Sequence, residues 1–324
     1  MLKNTKITEA IHILKKGGVV IFPTETVYGL GARLSDLKGL QKIYQIKQRP
    51  SDNPLIVHIA KYQQLKKITS YISPAAHQLT KHFWPGPLTL IFNKTDQVPD
   101  EATAKLKTVA VRMPSHPIAK KLIQKLNEPI AAPSANRSSR PSPTRFQDVF
   151  AELGSQVKCI LDGGEASIGL ESTVVDTTST PFKILRPGSI SLKDLKKIVP
   201  DIEPFTRRNP QGPALSPGLK HLHYRPNCKV QIVQSKKLKD VLNKLLKKKL
   251  KVGLITLSQK IGPHPHIVFY RYLNHQKNKF AKNLYSNFYA AERAEAQILL
   301  VESTDLDGIG CAIMDRLSRA SGKK

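Results

Sequence analysis

Short apolar runs alternate with amphipathic stretches over the first two hundred residues of the chain. The runs at 19–22, 55–59, 88–92, 109–113, 130–132, 157–161, 173–176 and 182–185 have the length and apolar content of strands. Between them, 8–16, 37–47, 74–83, 117–126, 143–153 and 192–199 carry apolar residues at helical spacing, several opened by Pro or Ser where a helix starts. This pattern predicts a mixed α/β domain over 1–206. The stretch 207–226, RRNPQGPALSPGLKHLHYRP, has four prolines and no period, and reads as a linker, extended here to 207–228. Apolar segments at 230–233, 238–246 and 252–257 and an amphipathic one at 280–292 then predict a smaller βαβ-like domain over 229–324. The lysine run 247–249 fits a solvated helix end.

A length of 324 residues suits two domains with separate cores, and 40% hydrophobic with 23% charged residues suits a globular protein. The formal charge is +28, divided as +16 before Cys228 and +12 after it, so no detachable basic tail accounts for it. A field of that size attracts polyanions such as ATP or tRNA. The three cysteines form no CxxC pair, which argues against structural zinc and a disulfide framework and favours a reducing cytoplasm. No apolar run is long enough for a secretion signal or a membrane span, so no membrane partner is expected.

Generic nucleotide loops are missing. Gly164 and Gly169 have phosphate-loop spacing, but Leu170 and Glu171 follow where Lys and Ser or Thr belong, and Gly29 and Gly31 lack the third glycine of a dinucleotide fingerprint. Polar clusters instead flank the apolar runs, where open α/β sheets hold ligands. Thr24, Glu25 and Thr26 precede Gly29 and Gly31, which a plain turn would also explain. Lys47 and Arg49 end a helix, where they would grip phosphate or answer the helix dipole; Asn53 and His58 follow. Thr108, Arg112, Ser134, Ser172 and Arg186 sit beside further runs, and three guanidinium groups would converge if those strands share a sheet.

In order, PTETVYGLG, KQRPSDNPLIVH, WPGPLTL, VAVRMP, APSAN, GLESTVVD and LRPG resemble the YrdC-type threonylcarbamoyl-AMP synthase domain. SPGLKHLHYRP resembles the linker of that family's two-domain form, and 308–317, GIGCAIMDRL, its second domain. The resemblance implies a YrdC-type mixed α/β catalytic domain with a second, smaller Rossmann-like α/β domain. It implies formation of threonylcarbamoyl-AMP and pyrophosphate from L-threonine, bicarbonate or carbon dioxide, and ATP with Mg²⁺. A partner transferase would then modify an adenosine next to the anticodon in tRNA, and the chain itself would be open to direct tRNA contact.

Carried over by motif, Thr26, His58, Arg112, Ala132 and Ser172 would line the threonine pocket, with Arg112 on the carboxylate. Arg49, Asn53, Thr108, Ser134, Ser142, Arg186 and Tyr224 would hold ATP, and Lys47, Arg49 and Arg112 are the expected catalytic charges. No metal is expected on protein side chains; Glu25 or Glu171 would at most assist Mg²⁺, and His221 with His223 lacks a third ligand. The linker would act as an active-site lid through Tyr224. A non-catalytic double-stranded-RNA-binding protein needs the charge but no threonine pocket. A hydrogenase-maturation carbamoyltransferase carries upstream CxxC motifs, which this sequence lacks.

Overall fold

The computed structural model describes residues 6–206 and 223–322. Most of the expected linker, 207–222 with His221, lies outside the described residues, and so does the lid expectation apart from Tyr224 and its neighbours.

In the first unit, β1 (Val20–Phe22), β2 (Gly29–Arg33), β3 (Ile56–His58), β4 (Leu88–Asn93), β5 (Thr108–Arg112), β6 (Ile130–Ala132), β7 (Thr173–Asp176) and β8 (Lys183–Arg186) form one sheet. Its order is β1-β2-β6-β3-β5-β4-β7-β8, with β3/β5 and β4/β7 parallel and the other neighbours antiparallel. The helices are α1 (Ile7–Lys15), α2 (Leu37–Lys47), α3 (Tyr62–Ile68), α4 (Pro74–Phe83), α5 (Asp100–Thr103), α6 (Pro117–Leu126), α7 (Phe146–Leu153) and α8 (Leu192–Lys196). Local chemistry sets several ends. Pro74 and Pro117 occupy first-turn positions, Ser73 Oγ and His116 Nδ1 accept from the N–H of Ala76 and Ile118, and Asn127 leaves α6 in a left-handed conformation.

Strand alternation sends Ile21, Val57 and Ala131 into a core with α2, α3, α4 and α7, and sends Val20, Phe22, Ile130 and Ala132 to the other face under α1 and α6. Farther along the sheet, Ile56, Ile91, Ala110 and Val174 form a small cluster of their own. Ile56 of that cluster lines the cleft described below.

The second unit is a parallel sheet, β11-β10-β12-β9, built from β9 (Lys229–Val233), β10 (Val252–Thr256), β11 (Ile267–Tyr272) and β12 (Ile298–Glu302). Helix α9 (Leu238–Lys247) covers one core; α10 (Lys277–Arg293) and α11 (Ile309–Ala320) cover another. That second core also contains Val27 and Leu170 of the first unit and Tyr224. Among the described residues no helix is long and apolar enough to cross a membrane.

Several elements differ from the pattern: β2, α3, α5, β11 and β12 form where none was expected, and one expected strand does not form. The run 157–161 is no sheet strand; it touches β1 through an isolated bridge, with the N–H of Leu161 on Ile21 O and the N–H of Ile21 on Cys159 O. Conversely, the glycine-bearing stretch after Thr26 is strand β2. A Cβ on Gly31 would stand 2.5 Å from Ile130 Cγ2 and 2.7 Å from Phe22 Cε1, so the missing side chain admits neighbouring strands rather than making a turn.

Candidate active site

A narrow cleft with about 60 Å³ of free volume opens beside β3, β5 and β8. It is lined by eleven of the expected residues: Thr26, Lys47, Arg49, His58, Arg112, Ala132, Ser134, Ser142, Ser172, Arg186 and Tyr224.

At one end lies Arg112, 3% exposed at the end of β5. It donates through Nη1 to Thr26 Oγ1 (2.7 Å) and through Nε to Gly86 O (3.2 Å), and its Nη2 pairs with Glu25 Oε1 at 2.7 Å. A guanidinium has five N–H groups, so two remain after these contacts. Thr24 builds the adjoining turn: its hydroxyl donates to Val27 O and accepts from the N–H groups of Thr26 and Val27. The Thr26 hydroxyl therefore donates to Thr24 Oγ1 while accepting from Arg112. Burial opposes ionisation of Glu25, yet the charge of Arg112 outweighs it and holds the carboxyl below its ordinary value.

His58, opposite Arg112 in the β3/β5 register, bonds through Nδ1 to Ile56 O at 3.1 Å, and its ring meets Phe22 edge-on. Burial first, and then the charge of Arg112, push its pKa down to about 3, so the ring is neutral at physiological pH. Below about pH 6.5 the unfolded chain takes up a proton here that the folded chain refuses until about pH 3. Folded stability should fall as pH drops through that window, by up to about 1.4 kcal/mol per pH unit. Urea midpoints at pH 7 and pH 5 should show a smaller difference in His58→Gln than in the parent; equal differences would contradict the shift.

The other end is cationic. Lys47, 1% exposed in the last turn of α2, donates to Ser134 O (2.5 Å) and Asn136 O. It thus ties the loop after β6 rather than capping its own helix. Burial, then the nearby charge of Arg49, push its pKa well down. Arg49 donates to Asn53 O (3.0 Å) and Pro54 O (2.9 Å), bracing the 50–54 turn. Arg186 clamps Ser172, with Nε on its carbonyl at 3.1 Å and Nη2 on its Oγ at 3.1 Å; Ser172 Oγ also meets Thr89 Oγ1. Gly188 permits the return of this segment, since a Cβ there would meet Thr173 N at 2.3 Å.

Two expected residues do not line the cleft. Asn53 is buried behind Arg49, which takes its carbonyl, and Thr108 opens β5 opposite Asn93 while Arg112 closes the strand. The cleft also includes residues that the clusters left unassigned: Asn136, Ser138, Ser139, Arg140 and His223. Asn136 was visible in APSAN; Arg140 had no flanking apolar run to mark it.

Residues 12–188 match the family model described as telomere recombination, and 190–322 match the one described as threonylcarbamoyl-AMP synthase, C-terminal domain. Over 329 aligned positions the chain is 40% identical to the threonylcarbamoyl-AMP synthase of Pyrococcus abyssi, covering 99% of this chain and 95% of that one. The chain belongs to the threonylcarbamoyl-AMP synthase family. The Bacillus subtilis synthase is 38% identical, covering 98% of this chain and 93% of its own length. The crystal structure of P. abyssi Sua5 complexed with L-threonine is similar with a TM-score of 0.92 at 39% identity, over 98% of this chain and 94% of that one. The fold is therefore that of the two-domain synthases, a YrdC-type unit followed by the family's C-terminal domain.

Proposed function

We propose that the cleft joins L-threonine, bicarbonate or carbon dioxide, and ATP into threonylcarbamoyl-AMP and pyrophosphate, a nucleotidyl transfer. The observation that carries this reading is the two-ended cleft, in which Arg112 keeps two N–H groups in reserve at one end while Lys47, Arg49 and Arg186 gather at the other. Arg112 takes the threonine carboxylate, with Thr26, His58, Ala132 and Ser172 around the amino acid. Arg49, Ser134, Ser142, Arg186 and Tyr224 take the nucleotide, and Lys47 holds the loop that carries Ser134. Asn53 and Thr108, which do not line the cleft, are left without a contact to the nucleotide.

The chemistry asks for positioning more than for a covalent nucleophile. The threonine nitrogen joins bicarbonate to form a carbamate with loss of water. A carbamate oxygen then attacks the α-phosphorus in line as the bond to the bridging oxygen breaks and pyrophosphate leaves with its electrons. A neutral His58 adds no charge beside the amino group. Glu25 and Glu171 are each engaged by an arginine, so the residues present fit Mg²⁺ held on phosphate oxygens rather than in a protein cage. When bound with ATP, that ion would supply positive charge beside the charges of Arg49 and Arg186. The product feeds a transferase acting on tRNA, and three cysteines without a CxxC pair suit the cytoplasm.

Purified protein with ATP and Mg²⁺ should release pyrophosphate only when L-threonine and bicarbonate are both supplied, with threonylcarbamoyl-AMP as the nucleotide product by mass spectrometry. No release from folded protein would move the reading to RNA binding, for which salt-dependent tRNA association is the measurement.

A further inference from the structure

Arg316 sits in α11 of the second unit with no exposed surface, yet it is aimed at the first unit. Its Nε donates to Glu171 Oε2 at 3.0 Å, its Nη1 donates to Asp315 Oδ2 at 2.8 Å, and its guanidinium lies 5.6 Å from the Tyr224 ring centre. Nη2 has no hydrogen-bond partner among the described residues. Tyr285 of α10 donates its hydroxyl to the same Glu171 oxygen at 2.9 Å and stacks on Tyr224 at 5.4 Å. The other oxygen of Glu171 accepts from Ser142 Oγ at 2.6 Å. One carboxylate in the cleft wall thus joins Ser142 on its cleft side to Arg316 and Tyr285 behind it.

We propose that Arg316 is a positioning residue for the nucleotide, acting from the second unit through Glu171 and Tyr224. The inference rests on the assignment of Ser142, Arg186 and Tyr224 to ATP. A carboxylate in the wall of a triphosphate site repels its ligand unless it is neutralised. Arg186 is the other guanidinium whose charge acts on Glu171, and Arg316 acts on it more strongly. With Arg316 in place, the Glu171 charge is answered from behind the wall, Ser142 keeps its orientation, and the Tyr224 ring is held between Tyr285 and the guanidinium. An ion pair kept for stability alone has no need of this placement, because a well-packed apolar residue generally serves a buried site as well.

In the full chain, Arg316→Met should raise KM for ATP at least tenfold and leave KM for threonine within about twofold. Arg316→Lys, which keeps the charge, should recover part of the loss. Arg316→Met with Glu171→Gln removes repulsion and partner together and should bring KM for ATP back to within about threefold of the parent; this pair also carries the test if the single variant does not fold. Arg186→Ala is measured alongside. If it leaves KM for ATP unchanged, the nucleotide assignment falls and this inference with it. If Arg186→Ala raises KM for ATP while folded Arg316→Met does not, the inference alone is overturned. It is overturned equally if Arg316→Met weakens both substrates alike, or if the double variant stays ten times weaker for ATP.

Discussion

Arg112→Ala should reduce kcat/KM for threonine by at least about thirtyfold, because truncating one partner of a buried, hydrogen-bonded charge pair costs roughly 2–5 kcal/mol. The substrate carboxylate loses the two N–H groups left for it, and Thr26 loses the donor that orients its hydroxyl. Stability should fall too, by up to roughly 3–5 kcal/mol, since Glu25 would be left buried without its partner, where burial drives its carboxyl toward taking up a proton. Adding Glu25→Gln separates the two effects. The double variant should recover much of the melting temperature and none of the threonine affinity, as read by calorimetry of folding and of binding. Threonine affinity unchanged in either variant would remove Arg112 from its role.

Lys47→Met should lower kcat/KM for ATP by about a hundredfold or more. The methionine fills the same space but donates nothing to the carbonyls of Ser134 and Asn136, and hydrogen bonds from a charged group contribute about 1.5–3 kcal/mol each. The loop after β6 would then no longer be held against the end of α2. Threonine binding, which depends on the other end of the cleft, should change little. Steady-state kinetics with each substrate varied in turn make the comparison. A folded variant with ATP kinetics within threefold of the parent would show that the loop holds its shape without the lysine.

Much of the first sheet was legible because its strands are apolar runs with polar clusters at their ends; β6 and β7 match the predicted bounds residue for residue. Strand β2 was not, because glycine argues locally for a turn, and only the ring of Phe22 and the side chain of Ile130, brought in by neighbouring strands, explain why glycine stands there. Helix α5, four residues long, has no room to display a period. Strand β11 is an edge strand with no buried residue, so it carries little of the apolar signal of a core strand.

The cleft followed a similar logic. Charges next to apolar runs marked Lys47, Arg49, Arg112 and Arg186, but motif membership says nothing of depth along a strand. Thr108 and Arg112 are four residues apart and share a face, yet about 13 Å of strand separates them. Arg316 lay in GIGCAIMDRL, where nothing in the charge pattern distinguishes an arginine without solvent exposure from one on a helix surface.

The apolar cluster that runs from Val27 and Leu170 through Tyr224 into α10 and α11 ties the cooperativity of unfolding to the reaction. The two sheets should therefore melt together rather than as independent beads, because a single continuous patch of excluded solvent belongs to both. A cavity opened at Phe288 or Leu317, neither of which lines the cleft, would withdraw support from the wall that carries Glu171. Damage to the packing of the second unit would thereby reach a site that lies mostly in the first.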